Sequence, residues 1–318
     1  MTNRKWRGHL GPMMENHLKL REAVGRVGES DGYNLYAFNE FILQKYPRIR
    51  TVSRIVVLDF LRSKTNLGNA GRRNCVIHIR QFCRYLIQRG TASYVPDRTL
   101  TPKYQYKPRY CPISEVNFQR ILSLVNTTDA ESSVGADTYV TIFSLLWCTG
   151  MRRREIIRLT QDDVDLKNGV LFIRESKFQK DRIIPLNDSV VKGLQKYVAL
   201  KESLRLGARS GARTFFICLD GKPIAGTKIS RFFRLLAEEL GIKNAEGRRA
   251  TLHDFRHNFA TINMAEILRN PEKYPTSTAM ATLSTYMGHV DLFYTQYYLH
   301  PDFDLLQDAL EKFESPAA

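Results

Sequence analysis

The 318 residues carry 48 Lys and Arg against 32 Asp and Glu, a formal net charge of +16. The length points to two domains, or three, and an apolar fraction of 43% is ample for packed cores. No apolar run approaches the length of a membrane span, which excludes a helical membrane protein.

A balance this basic calls first for a polyanion, with DNA or RNA ahead of an anionic membrane, because the arginines are spread along the whole chain with no basic amphipathic tail. The five cysteines, Cys75, Cys83, Cys111, Cys148 and Cys218, include no C-x-x-C pair and read as reduced thiols. Met1 to Arg7 is basic with no apolar signal region after it, so a cytosolic protein is expected.

In chain order, Met13 to Gly25 reads as a first helix and Tyr36 to Tyr46 as a second, stopped by Pro47. Ser53 is placed to cap a third helix, and Asn69 a fourth that runs to a stop at Gly90. Val76, Ile79, Cys83 and Leu86 form the apolar stripe of the fourth. Arg73, Arg80 and Arg84 lie on another face, with Arg72 and Arg89 nearby, and such a ridge suits a phosphate backbone as well as it suits solvent. Pro96, Pro102, Pro108 and Pro112 then keep the chain extended. Residues 96–112 read as a basic linker, with Lys103, Lys107 and Arg109 among tyrosines as candidate nucleic-acid contacts. The expected organisation is an all-helical domain over 1–95 and a second, mixed domain over 113–318.

The second domain is expected to open with a helix capped by Ser114 and to continue with a buried helix over Thr138–Cys148. Gly169–Ile173 and Arg182–Leu186 read as a β-hairpin around a polar turn that carries Lys177, and Thr214–Ile217 as an edge strand. Helices follow from Lys228, one of them starting near His253, and Pro301–Phe313 reads as a last amphipathic helix. The sequence contains no phosphate-binding loop of the G-x-x-x-x-G-K-[ST] type and no G-x-G-x-x-G fingerprint. His253 and His257 stand four apart, yet the residues between them are not those of H-E-x-x-H, so no metal or other cofactor is expected.

The groups able to stabilise an anion come from separate segments: Arg152, Lys177, His253, Arg256 and His289. All precede Tyr298, which follows His289 by nine residues. A phenol has a pKa of about 10 and becomes a useful nucleophile only among cations or beside a base. Transfer of a phosphodiester needs this set of groups. Planar guanidinium forks suit the non-bridging oxygens, a histidine adds a donor, and a lysine can protonate the departing oxygen.

These segments resemble the tyrosine recombinase/integrase family. The first arginine box appears as Thr149-Gly150-Met151-Arg152-Arg153-Arg154-Glu155-Ile156. The hairpin lysine falls on Lys177, with Lys180 as its competitor, ahead of Arg182-Ile183-Ile184-Pro185-Leu186. His253-Asp254-Phe255-Arg256, Gly288-His289 and Tyr298 complete the order, over about residues 112–300. The 33 residues from Arg256 to His289 exceed the spacing expected of compact members, and the extra length is placed in the loop Arg269–Thr276.

The resemblance implies a mainly α fold with a small β-sheet: an all-α core-binding domain that clamps DNA, joined to an α+β catalytic domain. It implies a site-specific recombinase that works through a 3′-phosphotyrosine on Tyr298, without metal or ATP. Arg152, Arg256 and His289 would hold the phosphate oxygens, Lys177 would be the general acid, His253 would assist, and Glu155 would support the arginines. The implied partners are double-stranded DNA attachment sites, three further copies in a tetramer joined through the C-terminal helix, and accessory DNA-bending proteins. The implied location is the cytoplasm, at the nucleoid when DNA-bound. Two alternatives stay open: a type IB topoisomerase, and a catalytically silent DNA-binding regulator.

Overall fold

The computed structural model describes residues 5–24, 29–100, 110–127, 134–174, 181–206 and 213–288. Among them are eleven α-helices and one three-stranded sheet, so the expected mainly α class with a small sheet holds. The chain divides into two compact units, Met1–Lys107 and Pro108–Ala318.

The first unit packs α1 (Gly11–Ala23), α2 (Glu29–Lys45), α3 (Arg54–Ser63) and α4 (Asn69–Gln88) around one apolar cluster. Met14 and Leu18 of α1 meet Leu35, Phe38 and Ile42 of α2, and Phe38 stands edge-to-face with Phe60 of α3 at 4.9 Å. The α4 stripe, Val76, Ile79, Cys83 and Leu86, is buried as expected. Ser53 caps α3 by accepting the Val56 N–H. The N-cap of α4 is Gly68, and Asn69 is already inside the helix. Helix α2 starts seven residues before Tyr36, where the sequence looks polar. Asp31 and Leu35 are both buried, one helical turn apart, and Asp31 pairs with Arg21 at 3.0 Å. An ion pair turned inward breaks the apolar period on which a sequence reading relies.

Past Gly90 the chain returns along its own unit. Tyr94 N–H donates to the Val52 carbonyl at 2.7 Å. Arg80 donates through Nε to the Pro96 carbonyl at 2.6 Å and through Nη2 to the Asp97 carbonyl at 2.8 Å.

The second unit begins with α5 (Glu115–Thr127), its first turn capped by Ser114 Oγ accepting the Asn117 N–H, and α6 (Ala136–Thr149). The short α7 (Arg153–Arg158) leads into β1 (Val164–Asp165), β2 (Val170–Ile173) and β3 (Arg182–Pro185), antiparallel in the order β1-β2-β3. Then follow α8 (Asp188–Ser203), α9 (Gly226–Glu239), α10 (Leu252–Arg269) and α11 (Thr276–Met287). Helix α6 runs through the core, with Tyr139, Ile142, Phe143, Leu145 and Leu146 all buried. Phe143 packs against Phe233 of α9 at 5.6 Å and Phe255 of α10 at 6.1 Å. The loop between Arg269 and Thr276 falls where the sequence placed it.

Thr214–Ile217 is not an edge strand. Thr214 makes an isolated bridge to Thr160 and Ile217 one to Pro223. Phe215, Phe216 and Ile217 are all buried, so this run has no solvent face. It plugs the core, with its backbone tied to Leu159, Tyr197 and Lys201.

Helix α6 ends on Gly150, which has φ +59° and donates its N–H to the Leu146 carbonyl. A Cβ there would lie 2.7 Å from the Phe259 ring, whereas one on Gly241, with φ +64°, would meet nothing within 4 Å. Both positions carry the left-handed cost, about 1–2 kcal/mol for a non-glycine residue. Only Gly150 adds a packing conflict. Gly150→Ala is therefore expected to destabilise the second unit by about 1–3 kcal/mol more than Gly241→Ala in urea unfolding; equal losses would contradict the close approach of Phe259.

Candidate active site

The two arginines of the anticipated site enter from different helices. Arg152 is the N-cap of α7, and Arg256 lies in the second turn of α10. Both converge on the end of α11. Arg152 Nη2 donates to the Gly288 carbonyl at 3.1 Å, and Arg256 Nη2 to the Met287 carbonyl at 2.6 Å. Arg256 Nη1 also donates to the Gly150 carbonyl at 2.8 Å, which places it on the ends of two helices. The C-terminus of a helix carries partial negative charge, so it accepts a guanidinium well.

A third arginine completes the pattern. Arg182, on β3, donates through Nε to the Tyr286 carbonyl at 2.8 Å. Tyr286, Met287 and Gly288 are consecutive, and each carbonyl takes one arginine. Gly288 itself has φ +65° and ends α11 in the left-handed region. A Cβ there would lie 3.1 Å from Arg182 Nη1, so the turn rests directly on that guanidinium.

Glu155 joins two of these arginines. Its Oε1 accepts from Arg152 Nη1 at 2.9 Å and Arg182 Nη1 at 2.9 Å. Its Oε2 accepts from the Arg152 backbone N–H at 2.8 Å and Arg182 Nη2 at 2.8 Å. Burial opposes ionisation of this carboxyl. The hydrogen bonds and charge of Arg182, with the N–H and charge of Arg152, outweigh burial and hold its pKa down at about 2. Side-chain exposure ranks the pair: Arg152 is 25% exposed and Arg182 only 8%. Arg152 has an open side for a ligand.

The helix that carries Arg256 also organises the start of the unit. Asp254, fully buried, caps α10 by accepting the Thr251 N–H at 2.6 Å, takes both Arg248 nitrogens at 3.2 and 3.1 Å, and takes the Cys111 N–H at 3.2 Å. Asn258, one turn on, accepts from Tyr110 Oη and the Ile113 N–H and donates to the Ile113 carbonyl. The segment 110–113 is thereby bound along α10.

His253 stands exposed at the head of α10, crowded on its inner side. That crowding first, then the charges of Arg256, Arg152 and Arg248 against the opposing Asp254, lower its pKa. His257, buried beneath it with ring centroids 4.7 Å apart, is pushed down to about 3 and stays neutral. Its place is in the core.

Of the residues singled out from sequence, Arg152, Glu155, His253 and Arg256 are brought together here. Lys177, His289, Tyr298 and the helix over 301–313 lie outside the described residues, as do Lys103, Lys107 and Arg109. In the first unit, Arg84 is exposed on α4 and Arg73 is half-buried, while Arg80 holds the backbone carbonyls at Pro96 and Asp97. The sequence reading missed Arg182, Arg248 and Asn258. For Arg182 a signal existed: it alternates with the buried Ile184 on β3, and an arginine at an inward strand position calls for a buried partner.

Glu155 titrates near 4.5 when free and about 2 in the fold, so its ionised form contributes on the order of 3 kcal/mol above pH 4.5, lost as pH falls toward 2. Glu155→Gln is expected to be the less stable protein at pH 7, with the gap closing from pH 4.5 downward in denaturant titrations. A gap independent of pH would contradict the ion-pair account.

The profile of the phage integrase family matches residues 113–304, more than half of the chain. The Sinorhizobium fredii sequence that bears the name integrase/recombinase y4rE is 27% identical over 305 residues, 95% of each chain. The tyrosine recombinase XerD of Staphylococcus aureus is 30% identical over 227 residues, 70% of this chain and 68% of its own. In fold, the chain is similar to the Tn1549 transposon integrase solved with circular intermediate DNA, at TM-score 0.64 and 18% identity, over 94% of this chain and 99% of that one. On the extent of the profile match and of the XerD alignment, the chain belongs to the phage integrase family, the tyrosine recombinases.

Proposed function

We propose that this tyrosine recombinase cleaves and rejoins double-stranded DNA at attachment sites through a phosphotyrosine on Tyr298. The observation that carries the reading is the convergence of Arg152 and Arg256, from α7 and α10, on the carbonyls of Gly288 and Met287. Those carbonyls lead directly into His289. Two guanidiniums therefore stand at the entrance of the segment that bears the nucleophile. Relatives of known structure were solved on DNA, among them a site-specific recombinase on its substrate and an integrase on a core site.

In this mechanism the Tyr298 phenol oxygen attacks the scissile phosphorus, and the bond to the 5′ oxygen breaks. Arg152, Arg256 and His289 hold the non-bridging oxygens as charge accumulates on them. Lys177 gives a proton to the departing 5′ oxygen, and His253, kept neutral by its setting, can accept the phenol proton. The phosphotyrosine keeps the bond energy. A 5′ hydroxyl of the partner strand attacks it, reforms a phosphodiester and returns the phenol. Side-chain cations supply the charge that a divalent metal would otherwise supply.

The helical unit serves as a DNA clamp, with Arg73, Arg80 and Arg84 and the linker groups Lys103, Lys107 and Arg109 toward the backbone. Four copies on two sites, joined through the C-terminal helix and aided by DNA-bending proteins, form the working assembly in the cytoplasm. Neither the topoisomerase nor the silent-regulator reading has an observation in its favour.

Tyr298→Phe is expected to bind its site yet form no covalent complex on a nicked suicide substrate, with wild-type cleavage unaffected by excess EDTA. A nucleotide remnant mapped to Tyr297 or Tyr294 would overturn the assignment. Lys177→Ala is expected to cleave about 10²–10⁴-fold more slowly, with recovery on a 5′-bridging phosphorothiolate, whose leaving group needs no proton. If Lys180→Ala shows that recovery instead, Lys180 is the acid. Arg84→Ala is expected to lower the salt dependence of binding by about one unit of slope; an unchanged slope would remove it from the interface.

A further inference from the structure

Three arginines hold the end of α11, but only Arg152 and Arg256 belong to the phosphate-binding set. Arg182 stands beside them and reaches two structures at once. Its two terminal nitrogens lie on the two oxygens of Glu155, at 2.9 and 2.8 Å, and its Nε lies on the Tyr286 carbonyl at 2.8 Å. Every oxygen of Glu155 is thereby shared between one Arg182 donor and one Arg152 donor. A carboxylate offers about four acceptor sites, so these contacts saturate it. Glu155 can hold Arg152 in one orientation only while Arg182 holds Glu155.

We propose that Arg182 is a positioning residue for strand cleavage: its fork aligns Arg152 through Glu155 and seats the end of α11 from which the chain proceeds to His289. This rests on the recombinase reading above. Both terminal nitrogens of Arg182 already lie on the Glu155 carboxylate, whereas those of Arg256 lie on neutral carbonyls, so the Arg182 fork is committed to an anion within the fold. Its effect passes through the geometry of Arg152 and the α11 turn, where Gly288 lies against it. A lysine keeps the charge but offers a compact ammonium with no planar fork, and it cannot span both Glu155 oxygens while also reaching the Tyr286 carbonyl. A misplacement of about 1 Å at a reacting site can cost about 100-fold in rate.

The test uses the full chain with its cognate site. Arg182→Lys and Arg182→Gln are expected to melt cooperatively and to bind the site within about threefold of wild type. Covalent-complex formation at saturating enzyme should fall by about 100-fold in both. The loss should persist on the 5′-bridging phosphorothiolate, because that substrate relieves only leaving-group protonation. Glu155→Gln should show a similar loss, and the double variant should be no slower than the slower single one. Should Arg182→Gln fail to fold, Arg182→Lys and Gly288→Ala, which presses a methyl onto the guanidinium, carry the same expectation. A folded Arg182→Lys that cleaves within a few-fold of wild type reduces Arg182 to a structural ion pair and overturns the proposal. So does rescue by the phosphorothiolate, or additive losses in the double variant. No covalent complex from wild-type protein overturns the recombinase reading and this proposal with it; an active wild type with an unimpaired Arg182→Lys overturns the positioning role alone.

Discussion

The buried carboxylate of Glu155 sits between two guanidiniums, and the arrangement of the second unit around α11 depends on that contact. Three arginines packed around one helix end would repel one another, and two of the three are less than a tenth exposed. One negative charge and three backbone carbonyls offset that repulsion. Isolated buried charges are costly, and the cost is met only where hydrogen bonds satisfy both partners. Here each Glu155 oxygen accepts twice, and the carbonyls come from a helix terminus whose partial charge has the right sign. Electrostatics and hydrogen bonding thus select the same geometry.

This contact also connects segments far apart in the chain. Glu155 belongs to α7, Arg182 to β3, Arg256 to α10 and the three carbonyls to α11. The hairpin expected to carry the acid lysine, the helix with the His253–Arg256 box and the turn before His289 therefore share one set of hydrogen bonds. The two turns that complete the set are glycines for definite reasons. Gly150 faces the Phe259 ring and Gly288 faces Arg182, both with positive φ, and both contribute a carbonyl to an arginine.

Helix α10 links the site to the beginning of the unit. Its side chains at 253, 254, 256 and 258 divide by direction around successive turns. Asp254 and Asn258, four residues apart and so on one face, bind the segment 110–113. Arg256 faces the α6 and α11 ends, and His253 stands at the rim. The chain thus enters the unit already tied to the helix that presents His253 and Arg256.

The sequence alone determined the class of the fold, the apolar stripe of α4 and the buried α6, and it singled out Arg152, Glu155, His253 and Arg256, which the fold brings together. Each of those signals is local: a period, a cap, or a box of adjacent residues. Signals that depend on distant partners were not legible. Helix α2 was cut short because Asp31 turns inward to Arg21, and Thr214–Ile217 looked like an edge strand because burial on all sides has no period. The alternation of Arg182 with Ile184 marks an inward position, but not its partners, Glu155 27 residues away and Tyr286 104 residues away. A sequence shows which residues carry charge. Only the packing of α7, β3, α10 and α11 decided which charges would meet, because burial forces each of them to find a partner.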